Sequence, residues 1–166
     1  MTRKSLDIDD RISGALGKHS DMVRRICYVY LRNDADVDDV FQEVFLKLLL
    51  KEAPFENEEH EKAWVIRVTI NMCKDTLKSF WHRNTDSIGE MELPFEDKAE
   101  SDLLQTVLSL PDKYKGVIYL FYYEGYTVPE MTKMLQKKES TIYSLLHRAR
   151  VLIKQNLGSD EIDYSF

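Results

Sequence analysis

A chain of 166 residues is long enough for one ordinary domain or two small ones. Its 43% apolar and 31% charged residues are the balance of a folded soluble protein, not of a disordered or membrane-spanning chain. Six Gly and four Pro, with no Gly between Gly17 and Gly89, are too few for a turn-rich β fold and favour long helices.

The start, MTRKSLDIDDR, has no apolar run of the kind a secretory signal needs, so a cytoplasmic protein is expected. A first helix is predicted from about Ser20 to Arg32, with Met22, Val23, Ile26, Cys27 and Tyr30 on one side. From Val37 the apolar positions run Val37, Val40, Phe41, Val44, Phe45, Leu48 and Leu49, a 3–4 spacing that predicts an amphipathic helix. Its other face carries Asp38, Asp39, Gln42, Glu43 and Lys47. The loop Glu52 to Glu61 holds Pro54 and Asn57, which end one helix and precede the next. That next helix, near Glu59 to His82, is apolar at Trp64, Val65, Val68, Met72, Leu77, Phe80 and Trp81, with Arg67, Asn71, Lys74 and Lys78 opposite. Residues 84–100 lose periodicity and gather Asp, Ser, Gly, Glu and Pro, the composition of a flexible linker.

Beyond the linker, Leu103 to Leu108 begins a short helix that Leu110-Pro111 breaks. Tyr114, Val117, Ile118, Leu120 and Phe121 form the core stripe of the following helix, which Gly125 terminates. Thr127-Val128-Pro129-Glu130 has the composition of a capping box, with Pro in the first turn. Met131, Met134 and Leu135 are that helix's inward residues, and Gln136-Lys137-Lys138 is a short break. A longer helix then turns Ile142, Leu145, Leu146, Ala149, Leu152 and Ile153 inward. No strand is needed anywhere. The expected fold is all-α: a helical domain over 1–84, an acidic linker over 85–100, a helix–turn–helix domain over 101–158 and an acidic tail over 159–166.

The net charge of −6 is unevenly divided. Residues 34–61 hold ten acids against two bases, and residues 84–112 eight against one. Residues 62–83 hold five bases against one acid, and residues 113–154 eight against three. Two basic blocks set between acidic ones imply two surfaces for a polyanion and at least one for a basic partner. A capped helix, a short turn and a second helix with Ser140, Tyr143, Ser144, His147, Arg148 and Lys154 outward describe a helix–turn–helix, whose outer face suits a major groove.

The segment LPDKYKGVIYLFYYEGYTVPEMTKMLQKKESTIYSLLHRARVLIK resembles the fourth conserved region of the extracytoplasmic-function (ECF) sigma factors of bacterial RNA polymerase. Leu110-Pro111, Tyr123-Glu124-Gly125, Thr127-x-x-Glu130 and Leu146-His147-Arg148-Ala149-Arg150 carry the likeness. DVDDVFQEVFLKL, from Asp36 to Leu48, is similar to the family's second conserved region, and Ala63-Trp64 with Arg67 through Asn71 to its next helix. The resemblance covers roughly residues 10–157 and implies a non-enzymatic factor that directs core RNA polymerase to promoters and assists their melting. By that resemblance, Asp38, Asp39, Gln42 and Glu43 bind the polymerase. Phe55, Asn57, Arg67, Asn71, Lys74 and Lys78 bind the −10 element, with the loop Pro54 to Asn57 at the site of base capture. Ser140, Thr141, Tyr143, Ser144, His147 and Arg148 bind the −35 element. The implied partners are core polymerase, promoter DNA and an anti-sigma factor, for a protein that is monomeric when free.

The chain departs from the family pattern in places. Gln136 stands where the turn usually has Gly, Lys138 where a Ser cap is common, and Ile70 where an Arg or Lys often precedes the family's Asn. Tyr143 and Leu145 replace basic residues of the recognition helix. The alternative function is a stand-alone helix–turn–helix regulator with an N-terminal dimerisation domain. An enzyme is not supported: His19, His60, His82 and His147 share no metal or triad pattern, and each reads as a surface histidine. No cofactor or metal is expected. Cys27 and Cys73 lie far apart in the chain on apolar helix faces, where buried thiols are expected and not a disulfide.

Overall fold

In the computed structural model, which describes residues 3–83 and 105–157, all regular structure is helical. The chain divides into two compact units, Met1–Met91 and Glu92–Phe166. The linker expected over 85–100 and the tail over 159–166 lie outside the described residues, as do the side chains of Phe80, Trp81 and His82.

The first unit consists of α1 (Arg3–Tyr30), α2 (Asp34–Leu50) and α3 (Glu58–Arg83), each packed on the other two. α1 is 28 residues long and starts well before the predicted Ser20. Gly14 and Gly17 each cost about 1 kcal/mol of helix propensity and obscure the pattern. Ile8, Ile12, Ala15 and Leu16 nevertheless continue the 3–4 spacing that leads into Met22 and Val23. α2 starts at Asn33, whose side-chain oxygen accepts the Asp36 N–H at 2.7 Å, a standard N-cap bond. The core is built from Val23, Ile26 and Tyr30 of α1, Val37, Val44 and Phe45 of α2, and Val65, Ile66, Ile70 and Cys73 of α3. Each fully buried large aliphatic side chain contributes roughly 1.5–3 kcal/mol relative to exposure.

α3 buries a different arc from the one predicted. Ile66, Thr69, Ile70 and Cys73 join Val65 and Met72 inside, whereas Trp64, Val68 and Leu77 are only half-buried. A helix wedged against two neighbours buries a wide arc, and its centre lies one position along from the stripe that hydropathy suggests. Thr69 tolerates burial because its hydroxyl donates to the Val65 carbonyl at 2.7 Å.

The described part of the second unit begins in helix at 105–108, which ends before Leu110-Pro111 as expected. α4 (Asp112–Ile118) runs on into one π turn, Tyr119–Tyr123. The end is tied by the Tyr119 hydroxyl donating to Glu124 Oε1 at 2.6 Å, and Gly125 reverses the chain at φ 72°. α5 (Val128–Leu135) starts in a full capping box: Glu130 N–H donates to Thr127 Oγ1, and Thr127 N–H donates to Glu130 Oε2 at 2.8 Å. Those bonds from Thr127 hold the Glu130 carboxyl below its ordinary pKa. Its contribution is therefore complete above the ordinary carboxylate range and is lost as pH falls through the lowered folded value. α6 (Glu139–Leu157) packs Ile142, Leu146, Ala149 and Ile153 against α4 and α5.

Gln136 ends α5 in the left-handed region, at φ 54° and ψ 43°. A Cβ there meets the neighbouring carbonyl, a cost that glycine lacks. Gln136→Gly is therefore expected to raise the stability of the second unit by about 0.5–1 kcal/mol, because relief of the strain outweighs the added unfolded-chain entropy. Urea unfolding of the full chain measures it, and a lower midpoint would refute the strain.

Candidate functional site

Asp38, Asp39, Gln42 and Glu43 all stand exposed on α2, on the side away from Val37, Val40 and Val44. They are not equivalent. Arg24 of α1 reaches across, with its guanidinium 3.7 Å from Asp38 Oδ1 and 4.3 Å from the centre of the Phe41 ring. Asp38 is thus drawn into an exposed ion pair within the unit, which leaves Asp39, Gln42 and Glu43 as the outward polar group. Leu46 and Leu50, 53% and 69% exposed, continue that line at helical spacing. The apolar periodicity of α2 does not include them, and that exclusion was the available signal for two leucines facing solvent.

The loop between α2 and α3 forms a small aromatic nook. The Phe55 ring lies 5.5 Å edge-on to Trp64 and 5.5 Å from His60, with Lys51 Nζ 4.4 Å from its centre. Asn57 has a local task, since its side-chain oxygen accepts the His60 N–H at 2.8 Å and caps α3. Along α3, Trp64, Arg67, Asn71, Lys74 and Lys78 follow at helical spacing, so the nook stands at one end of a cationic stripe. Asn71 and Lys78 are exposed, while Arg67 and Lys74 are half-buried. Ile70, in the position where a basic residue was the comparison, is 1% exposed and belongs to the core.

His19 corrects the expectation of four surface histidines. It is buried on α1, and its Nε2 lies 2.8 Å from Glu61 Oε1 of α3. A polar pair in this position satisfies two groups that would otherwise be costly to bury.

In the second unit α5, the turn at Gln136 and α6 make the helix–turn–helix. Ser140, Thr141, Tyr143, Ser144, His147 and Arg148 are all exposed, whereas Ile142, Leu146 and Ala149 between them are buried. Arg150 turns back instead, its guanidinium 5.8 Å from the centre of the Phe121 ring. The outer face thus offers hydroxyls, an imidazole and one guanidinium, groups able to donate to base edges and phosphates. Leu145 and Leu152 are half-buried, at the margin of the inward stripe. Among the described residues, no helix is long and apolar enough to cross a membrane.

The class is set by these features: a helical nucleic-acid-binding protein in two units, one of them a helix–turn–helix. Residues 16–83 match the family model of sigma-70 region 2, and residues 101–153 that of sigma-70 region 4. The chain belongs to the ECF sigma factors of the sigma-70 family, non-enzymatic factors that bind core RNA polymerase and promoter DNA in transcription initiation. The ECF RNA polymerase sigma factor SigW of Bacillus subtilis is 22% identical, with 89% of each chain covered. The RNA polymerase sigma factor SigV of the same organism is 24% identical over 87% of this chain and 89% of its own. Among solved structures, the sigma factor RpoE in complex with the anti-sigma factor NepR from Bartonella quintana has a TM-score of 0.72. It is 17% identical and covers 89% of this chain and 97% of its own. CnrH in complex with the cytosolic domain of CnrY has a TM-score of 0.61 at 19% identity, covering 92% and 90%. At such identities the likeness is one of fold.

Proposed function

We propose that the surfaces divide the work of initiation as follows. A domain over 1–84 carries the polymerase contact, on Asp38, Asp39, Gln42 and Glu43, with Leu46 and Leu50 as apolar additions. Phe55, Asn57, Arg67, Asn71, Lys74 and Lys78 hold the −10 strand as the duplex opens, with the loop Pro54 to Asn57 taking an unstacked base. A domain over 101–158 reads the −35 element through Ser140, Thr141, Tyr143, Ser144, His147 and Arg148. An acidic linker over 85–100 joins the two. The observation that carries this reading is that the acidic and recognition sets are exposed throughout while Val40, Ile142 and Leu146 between them are core. An exposed polar set on a rigid helix is available to a partner without any rearrangement.

The same reading makes the free protein a cytoplasmic monomer held in reserve by an anti-sigma factor. Of the two solved structures compared above, RpoE is in complex with the anti-sigma factor NepR, and CnrH is in complex with the cytosolic domain of CnrY. Transcription in vitro with core polymerase, followed by sequencing of transcript 5′ ends, tests the whole assignment. Initiation at defined sites that requires both this chain and core polymerase supports it. A tight complex with a palindromic operator in the absence of polymerase would favour the regulator reading instead.

Arg148→Ala separates promoter reading from polymerase binding. It is expected to weaken holoenzyme binding to promoter DNA about 10-fold, the worth of one good Arg–base or Arg–phosphate contact. Core binding is expected to stay at the wild-type level. Equal promoter affinity for variant and wild type would remove Arg148 from the recognition face.

A further inference from the structure

Cys27 on α1 and Cys73 on α3 stand 46 residues apart in the chain, and both are fully buried. Both are free thiols, yet their sulfurs lie 4.0 Å apart across the packed helices. A disulfide needs about 2.05 Å between sulfurs, and a change of χ1 well swings a sulfur through more than the remaining gap. We propose that Cys27 and Cys73 are a redox modification site, a thiol pair that closes to an intramolecular disulfide fastening α1 to α3 when the protein meets a disulfide oxidant such as glutathione disulfide.

The chemistry balances in two exchanges. One cysteine, as its thiolate, attacks glutathione disulfide, forming a mixed disulfide and releasing one glutathione. The second cysteine loses its proton and attacks the protein sulfur of that mixed disulfide, releasing a second glutathione. Two protein thiols are oxidised by two electrons, and one glutathione disulfide is reduced to two thiols. The geometry favours the second step strongly. Packing of α1 back on α3 returns the second sulfur to within 4.0 Å of the first, so closure is intramolecular. A tripeptide adduct also does not fit a close-packed core, and closure expels it.

The same burial makes the first step slow. The hydrogen bond with Cys27 and desolvation both push the Cys73 thiol well above its ordinary pKa, and the thiolate is the reactive form. Reaction therefore follows local opening of α1 from α3, and the site is silent to brief exposure. Closed, the clip constrains the unfolded chain across the segment from α1 to α3 and ties down the helix on which Asn71 and Lys74 flank Cys73.

The test uses the full chain, incubated with glutathione disulfide at neutral pH well below its unfolding temperature. Free thiols are then alkylated and the protein is digested without reduction. The expected product is one cross-linked peptide pair containing Cys27 and Cys73, in a chain that remains monomeric. The unfolding midpoint of the first unit should rise by about 10 °C and return with dithiothreitol. C27A, compared with and without oxidant, should show no such rise, and that difference holds even if the variant is itself less stable. Retention of both thiols after prolonged incubation, stable glutathione adducts on either cysteine, or disulfides between chains would each overturn the proposal.

Discussion

Reversing Asp39 and Glu43 together to Lys is expected to lower the affinity for core RNA polymerase by about 100-fold or more, since like charges set against a basic partner cost several kcal/mol. Both side chains are exposed on α2, so neither reversal disturbs the core formed by Val37, Val40, Val44 and Phe45. Both also lie beyond the first turn of a helix that begins at Asp34, which removes any penalty from the N-terminal dipole. Lysine is a good helix former, and the far-ultraviolet circular dichroism should not change. Asp38→Lys is the informative contrast. Its carboxylate already faces Arg24 at 3.7 Å, so its reversal should cost less binding while loosening the contact between α1 and α2. Titration of labelled core polymerase at two salt concentrations measures all three variants, and the wild-type affinity should fall as salt rises. Unchanged affinity with unchanged circular dichroism would take α2 out of the interface.

The combined Arg67→Ala, Asn71→Ala and Lys74→Ala variant should lose promoter opening by about 100-fold, well beyond any loss of polymerase binding. Two cations contribute about −0.7 each to the logarithmic salt slope of single-strand binding, so that slope should shrink by roughly 1.4. Asn71 is fully outward, while Arg67 and Lys74 rest their stems on the unit and show only part of their length. Circular dichroism and the unfolding midpoint therefore accompany the measurement, to separate lost packing from lost DNA contact. Permanganate reactivity of thymines in the −10 element reports the melting itself. Normal reactivity in the variant would show that the stripe on α3 does not hold the opened strand.

Much of this molecule was legible because its signals are local. The 3–4 spacing from Val37 to Leu49 specifies α2 and its polar face, since a helix of that sequence has one side to bury. The Thr127–Glu130 box fixes where α5 begins, because both of its hydrogen bonds join residues three apart. The inward stripe from Ile142 to Ile153 likewise leaves Ser140, Tyr143, His147 and Arg148 facing outward. What the local pattern left open depended on which helix lies against which. The two glycines of α1 hide four turns of helix. The buried arc of α3 is centred on Ile66, Ile70 and Cys73 because α1 and α2 both press on it. His19 finds Glu61, Asp38 finds Arg24, and Cys27 finds Cys73 only after the helices pack. A side chain's periodicity says which face it is on, but only the tertiary structure says what that face meets.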